Sequence, residues 1–281
     1  MGTFAKRLGQ LSARSLESES KNILRTSAAN KLPGSLSLAL DGTLKRGHDM
    51  RVFGMGTAAS MANRARYARF TTSMHAVYAA MEEELDLTAK AEASPASAVW
   101  RRHGPTLRRE AALRADLEDV VGSSGGVALT PATERYVAGI RAAAADDRAC
   151  GGARILGHLY CRYFADLFGG QMLATPTRLA LSLEAGTPRH YYFQLPSEEA
   201  QEGVSVGRGG RRAYIEDVYR GLNAAGEMLT PSAFDAVVDE AMLAFGYNVG
   251  VYSEEPMLLD ALRGSVNVCT GYLSQTLGRR T

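Results

Sequence analysis

A carboxylate stands one helical turn before two adjacent glycines near the middle of the chain. Asp166 precedes Gly169 and Gly170 within a stretch whose apolar spacing predicts a helix. A glycine inside a helix costs about 1 kcal/mol relative to alanine, so the pair needs an offsetting gain. The spacing alone favours close packing of one helix on another, with Asp166 bonded to a neighbour. The alternative is a flat partner pressed against the glycines, beside the carboxylate, where the helix bends.

The composition of the whole chain is that of an ordinary globular protein. Its 281 residues are 46% hydrophobic and 22% charged, with a formal net charge of +2. No basic stripe favours a nucleic-acid partner, and no apolar run approaches the roughly 20 residues that span a bilayer. Cys150, Cys161 and Cys269 are odd in number and widely spaced, so we expect free thiols rather than a disulfide framework or a metal site.

Helical periodicity dominates from residue 65 onward. One apolar stripe advances by alternating steps of three and four residues through Tyr67, Phe70, Met74, Val77, Met81 and Leu85. Thr130-Pro131 and Thr230-Pro231 each place a capping hydroxyl before a proline, which is typical of a helix start. Strand signals are almost absent, so the sequence predicts one all-α domain.

Several other stretches are expected to lack regular structure. Prolines and glycines punctuate residues 94–105, and residues 207–212 (GRGGRR) are expected to form a basic surface loop. Residues 1–45 are expected to form an N-terminal arm, and residues 256–281 a C-terminal tail. The arm is basic and rich in serine, which resembles an organelle transit peptide. An arm that stays on the protein and docks on a partner explains the same composition. We therefore expect a location in a mitochondrion or plastid, with a cytoplasmic location left open.

The stretch around the two glycines resembles the distal-helix signature of the heme oxygenase family, Tyr-x-Arg-Tyr-(Leu/Phe)-Gly-Asp-Leu-Ser-Gly-Gly-Gln. The matching positions are Tyr160, Arg162, Tyr163, Asp166, Leu167, Gly169, Gly170 and Gln171. Residues 113–119 and 130–137 resemble two further landmarks of the family. The resemblance implies a single-domain, all-α, heme oxygenase-like multi-helical bundle over residues 46–255, with a distal helix that bends at the Gly-Gly pair.

The resemblance also implies what the matching residues would do. Heme oxygenases hold heme between a proximal helix and a bent distal helix, and they open the ring to biliverdin, carbon monoxide and iron. By resemblance, Asp166 is the distal carboxylate that anchors a proton-delivering water network, and Gly169 and Gly170 lie over the ring. Tyr160 and Arg220 would contact the heme propionates.

The chain departs from the family at positions that affect iron ligation, charge and space. Ala58 stands where the proximal histidine is expected. His48, which lies before the segment that resembles the start of the family's first helix, is the fallback ligand. Glu216 replaces a lysine that usually binds a propionate, and a carboxylate repels a propionate. Phe168 replaces a small serine and Ala165 replaces a glycine, so either side chain can crowd the distal pocket.

The remaining histidines are expected to have no ligand role. His75 is predicted to be packed or at the surface, and His158 matches a family histidine that does not bind iron. His103 and His190 lie in loop-like contexts. Met55 is a candidate soft ligand, but a lone methionine is more often part of a core.

Three hypotheses for the function remain open. The joint loss of the histidine, the lysine and the small distal residue favours a catalytically inactive protein without a cofactor. Such a protein would be an accessory or interaction subunit of a larger assembly, for example an organellar one. The first alternative is a carrier or sensor that binds heme or a bilin without cleaving it. The second is an active heme oxygenase in which a residue such as His48 replaces the axial ligand.

Overall fold

The computed structural model describes residues 25–47, 49–90, 94–121, 127–195, 208–254 and 257–278. Within these ranges the chain is helical, with no β-strand, so the predicted all-α fold is confirmed. His48 and the first 24 residues, which carry most of the predicted targeting segment, lie outside the described residues. None of the described helices combines the length and the apolar content of a membrane-spanning segment.

The helices are numbered here in chain order. The first six are α1 (Leu36–Gly47), α2 (Met50–Ser60), α3 (Arg64–Lys90), α4 (Pro95–Leu107), α5 (Glu110–Val121) and α6 (Pro131–Cys150). A broken helix follows, built from α7 (Ile155–Leu159), a π-helical turn (Tyr160–Phe164), α8 (Ala165–Phe168), a 3-10 turn (Gly170–Leu173) and α9 (Ala174–Leu181). The last three are α10 (Arg208–Glu227), α11 (Pro231–Ser253) and α12 (Met257–Gly278). Single 3-10 turns lie at Ala29–Lys31 and Arg189–Tyr191.

The long helix α3 lies at the centre of the bundle and packs on α4, α5 and α6. All the residues of its predicted apolar stripe are buried, from Tyr67 to Leu85. A second layer is organised around α11, which packs on α1, α6 and α7. Gly157 allows α7 to pack closely on α11, because a Cβ there would stand 2.6 Å from the backbone nitrogen of Ala241.

Local capping explains where the helices begin. The side chains of Thr130 and Thr230 accept hydrogen bonds from backbone N–H groups three residues later, so both predicted helix starts are confirmed. Ser94 does the same in a capping box with Ser97. Residues 95–107 are therefore the helix α4 instead of the loop-rich stretch that their prolines and glycines predicted. Pro105 is accommodated near its C-terminal end.

The break after α8 is stabilised from another helix. Arg211 is buried, and its guanidinium donates to the backbone carbonyls of Leu167 (2.7 Å) and Phe168 (2.9 Å). These contacts satisfy acceptors at the end of a helix, where intrahelical partners run out. The prediction of a basic surface loop over residues 207–212 is therefore wrong from residue 208 onward, where α10 begins.

Both ends of the chain contribute more to the fold than the sequence predicted. Leu36 and Leu40 of α1 are fully buried, so the expected arm already belongs to the folded domain before residue 46. The expected C-terminal tail is the 22-residue helix α12, which packs on α2 and α9.

Two glycines on one face of α12 explain how it packs so closely. A Cβ on Gly264 would overlap the carbonyl oxygen of Ala58 in α2, and a Cβ on Gly271 would stand 2.7 Å from that of Leu179 in α9. The side chain of Asn267, between them, donates to the carbonyls of Met61 and Ala62. Because glycine has no Cβ, the backbones of these helices meet directly.

Candidate functional site

The broken helix presents two different faces to the rest of the molecule. Tyr160, Phe164 and Phe168 form an aromatic row on one face, and the ring of Phe164 lies 5.0 Å from that of Tyr219 in α10. The other face borders a cavity. Sequence reasoning treated both sets of residues as parts of one site, whereas the structure separates them.

The cavity measures about 540 Å³ and lies among α2, α3, the broken helix, α11 and α12. Its lining includes Met50, Ala58, Met61, Met74, Tyr78, Arg162, Ala165, Asp166, Gly169, Gly170, Met172, His190, Asn248, Gly264, Ser265, Val268 and Cys269. Ala58 therefore shares the cavity with Asp166 and the two glycines. Met50, Ser265 and Cys269 are exposed, so the cavity opens to solvent beside α12.

A buried polar network lies at one end of the cavity. Asp166 accepts a hydrogen bond from the hydroxyl of Tyr78. The guanidinium of Arg162 donates to the side-chain oxygen of Asn248 (3.0 Å) and to Tyr78 (3.2 Å), and it lies 3.7 Å from the carboxylate of Asp166. Burial alone would lower the pKa of Arg162, but the neighbouring Tyr78 and Asp166 raise it well above its usual value. Arg162 and Asp166 thus lie close together, and their other hydrogen-bond partners are the uncharged side chains of Tyr78 and Asn248.

A histidine–carboxylate pair that sequence reasoning missed also borders the cavity. Nδ1 of His190 lies 2.7 Å from the carboxylate of Asp116, which also accepts from the backbone nitrogens of Arg189 and His190. Burial would raise the pKa of Asp116, but the hydrogen bond from His190 and its charge lower it below its usual value. Nε2 of His190 has no hydrogen-bond partner among the described residues. The sequence does not indicate this pair, because Asp116 in α5 lies 74 positions before His190.

Tyr160 makes its polar contact in the core. It is 1% exposed, and its hydroxyl donates to the carboxylate of Asp41 in α1. Asp41 also accepts from the hydroxyl of Tyr219 (3.2 Å) and from the side-chain amide of Asn30. Burial raises the pKa of Asp41, although these hydrogen bonds oppose the rise. Tyr160 does not line the cavity.

Three other residues that were predicted to affect the heme site, Arg220 and Glu216 in α10 and Phe168 in α8, also lie away from the cavity. Arg220 is exposed and lies 3.5 Å from the carboxylate of Asp217, while Glu216 accepts from the backbone nitrogen of Ala29 (2.8 Å). Phe168 packs beside Phe164, so its ring does not crowd the cavity, although Ala165 does line it.

The other histidines are engaged elsewhere in the molecule. His75 lies 3.0 Å from a carboxylate oxygen of Glu110, and the buried His158 lies at the same distance from Glu240. His103 is buried, which lowers its pKa to about 4. Among the described residues, His190 is therefore the one histidine that lines the cavity, and no three His, Cys, Asp or Glu side chains are grouped as metal ligands. Met55 does not line the cavity either.

Comparison with known proteins identifies relatives of this arrangement. A sequence model of the heme oxygenase family matches residues 49–254. Heme oxygenase 1 of Nostoc sp. is 27% identical over 194 residues, which cover 68% of this chain and 72% of that protein. Heme oxygenase 1 of Homo sapiens is 27% identical over 239 residues, which cover 82% of this chain and 75% of the human protein.

Solved structures show the same fold. The crystal structure of heme oxygenase-2 from Synechocystis sp. in complex with heme and NO superposes with a TM-score of 0.63 at 26% identity, covering 78% of this chain and 84% of that one. Heme oxygenase 2 from Chlamydomonas reinhardtii, solved without heme, gives a TM-score of 0.65 at 18% identity, covering 80% of this chain and 99% of the other. The second likeness concerns the fold alone.

Proposed function

Because the chain belongs to the heme oxygenase family, we propose that it keeps the family's helical fold without its heme-cleaving activity and acts as an interaction subunit of a larger protein assembly. One observation carries this proposal. The two expected propionate contacts, Tyr160 and Arg220, do not line the cavity that contains Asp166 and the two glycines, and Tyr160 is bonded to a buried carboxyl group.

The environment of Tyr160 opposes the binding of a propionate. Its hydroxyl is already used by Asp41, and a propionate placed there would meet a second carboxyl group in a buried site. Two carboxylates in one low-dielectric site repel each other strongly. Arg220, the other expected propionate contact, is exposed beside Asp217.

The described residues that line the cavity on the other face also offer little support for heme. Its α2 wall presents Ala58, which has no donor atom for iron. Its two basic side chains, Arg162 and His190, already face carboxylates. The described residues therefore do not fit a heme held by an imidazole from α2 and by two charge-paired propionates.

An exposed apolar face on α12 supports the role of an interaction subunit. The exposed fraction of each side chain is large at Leu258 (78%), Leu259 (81%), Leu262 (63%), Val266 (54%) and Leu277 (61%). Large apolar side chains that are exposed together on one helix are typical of sites of association. Because the inner face of α12 is bound to α2 and α9, the outer face is free to contact a partner.

A hemin titration tests the loss of heme chemistry. We expect absorbance in the Soret region to rise without saturation, and no biliverdin to form when a reducing system is added. Heme oxygenase 1 of Nostoc sp. serves as the positive control. A saturable band with biliverdin production would refute the proposal, and its loss in His48→Ala would identify the replacement ligand.

The interaction role has its own test. The full chain, tagged in its native cells, is expected to elute from gel filtration in a complex larger than a monomer. The double variant Leu259→Asp, Leu262→Asp should elute as a monomer, whereas Ser274→Asp, on the same helix, should not change the elution. A wild-type chain that elutes as a monomer would contradict the proposal.

The cavity favours one alternative function, that of a carrier. A space of about 540 Å³ beside Asp166 lies within the range of about 300–1,000 Å³ typical of small-molecule sites. A saturable Soret band without turnover would support a carrier or sensor of heme or a bilin. The active-enzyme alternative needs a replacement axial ligand such as His48, which lies outside the described residues.

A further inference from the structure

We propose that the outer face of α12 is the contact surface of a homodimer, in which α12 of one chain packs antiparallel against α12 of a second copy. The inference rests on the interaction role proposed above, because it names the partner at that same face. The spacing of the exposed residues, the charges beside them and their symmetry all fit a second copy of this helix.

The exposed apolar residues of α12 repeat with the spacing of a contact between two helices. Successive residues are separated by alternating steps of three and four positions, and all of them are exposed: Leu259, Leu262, Val266, Cys269 and Leu273. These five residues are called the seam here. An average step of 3.5 residues keeps such side chains directed at a second helix that runs alongside the first.

The opposite face of α12 repeats with the same period. Gly264 and Gly271 lie seven residues apart, and they meet α2 and α9. In a seven-residue repeat written abcdefg, the seam takes positions a and d, and the two glycines take position f on the far side. The seam therefore stays directed at solvent from Leu259 to Leu273, a length of about 21 Å at 1.5 Å per residue.

The charges of α12 allow two copies of the helix to meet. Its two charged residues are Asp260 and Arg263. Asp260 lies 2.9 Å from Arg66 in α3, so it is paired within its own chain. Arg263 is exposed and flanks the seam. The two arginines would lie at the same level in a parallel pair, but about 14 Å apart along the axis in an antiparallel pair centred between residues 267 and 268. The antiparallel pair therefore has less repulsion between like charges.

The seam is also complementary to itself in the antiparallel arrangement. A two-fold axis at that centre brings together residues that are equally far from it. Leu262 then faces Leu273 of the second copy and Val266 faces Cys269, and each contact occurs twice. A contact of this isologous kind is closed, so assembly stops at two copies. A membrane surface fits less well, because helices that lie on membranes are rich in lysine and arginine, whereas α12 has Arg263 alone.

Sedimentation equilibrium of the purified full chain tests the dimer. We expect the mass to rise with concentration from 30.1 kDa to twice that value. The dimer should be reversible, since a seam of this length falls at the low end of specific interfaces, which begin at about 1,200 Å². Leu262→Asp should raise the Kd for dimerisation by at least about 100-fold, because each dimer would place two carboxylates in an apolar contact. Ser274→Asp, which is exposed beside the seam, should leave the Kd unchanged.

Disulfide cross-linking tests the orientation. Cys150→Ser and Cys269→Ser first remove the two exposed thiols. In that background, a mixture of Leu262→Cys chains and Leu273→Cys chains should form an intermolecular disulfide under mild oxidation, and neither chain alone should do so. Cross-linking of either chain with its own copy would overturn the antiparallel arrangement, because a disulfide needs Cα atoms within about 7 Å of each other.

The homodimer and the interaction role can fail separately. Purified wild type that keeps a mass of 30.1 kDa at every concentration, while the chain from native cells elutes in a larger complex, would overturn the homodimer and leave the interaction role standing. Monomers in both preparations would overturn both proposals. A dimer that Leu262→Asp does not weaken would overturn the assignment to α12, and circular dichroism melts verify that this variant is folded. Monomers that cosediment with vesicles of phosphatidylcholine and phosphatidylserine would assign the face to a membrane instead.

Discussion

At the scale of single residues, two buried carboxyl groups respond to burial in opposite ways. Asp41 is surrounded by neutral donors, so burial dominates and raises its pKa. Asp116 faces His190 and two backbone N–H groups, which outweigh burial and lower its pKa. Folding therefore shifts the protonation equilibrium of Asp41 toward its neutral form and that of Asp116 toward its charged form. The two groups should leave opposite signatures in the pH dependence of stability.

Asp41→Asn is expected to destabilise the protein most at low pH. A carboxyl whose pKa is raised by folding contributes stability below its unfolded pKa, about 3.9, and loses it as the pH rises through the folded value. Asparagine does not titrate, so the difference in unfolding free energy between wild type and variant should narrow as the pH rises from about 4 to about 8. Urea unfolding across that range measures it, with the exposed Asp235→Asn as control. A difference that widens with pH would contradict the assignment.

Asp116→Asn should show the reverse trend. A carboxylate whose pKa is lowered by folding contributes stability above its unfolded pKa, and that contribution is lost as the pH falls through the folded value. We expect a cost of about 1–3 kcal/mol at neutral pH, because the variant weakens three hydrogen bonds to a buried acceptor. The cost should shrink as the pH falls below about 4. A cost that is constant with pH would show that Asp116 acts by packing alone.

At the scale of helices, contacts between neighbours in the sequence were predictable and distant ones were not. Thr130 and Thr230 cap helices through backbone groups three residues away, so their types and spacing are sufficient evidence. Arg211 caps carbonyls 43 and 44 positions away, and nothing near it indicates this. Tyr160 matches a family pattern that implies a contact with a propionate. Whether its hydroxyl can make that contact depends on its neighbour Asp41, which no local motif indicates.

The docking of α12 gives a prediction at the same scale. The two glycines that allow this docking lie seven residues apart in the segment that the sequence analysis interpreted as a tail. Gly264→Ala should destabilise the protein by about 1–3 kcal/mol, because the added Cβ would overlap a backbone carbonyl that cannot rotate away. Gly246→Ala in α11, where a Cβ meets nothing within 4 Å, should instead stabilise it by about 1 kcal/mol. Hydrogen exchange should localise the first effect to α12, and equal exchange in both variants would refute close docking.

At the scale of the whole molecule, α12 is added to a bundle that is complete without it. The family match ends at residue 254, and the buried core ends at Val251. The helix contributes instead to the wall of the cavity, through residues such as Gly264 and Val268. A single helix thus has an inner face that closes the cavity and an outer apolar face that is available to a partner, so binding at one face can affect the other.

Truncation after Glu255 separates the two roles of this helix. Because no residue of α12 belongs to the buried core cluster, the shortened chain should still unfold in one cooperative transition. It should lose the larger complex, because the exposed apolar face of α12 is removed. Circular dichroism melts and gel filtration measure the two properties on the same preparation. If the truncated chain melts without a cooperative transition, α12 is part of the core after all. If it still elutes in the larger complex, the partner contacts a surface other than α12.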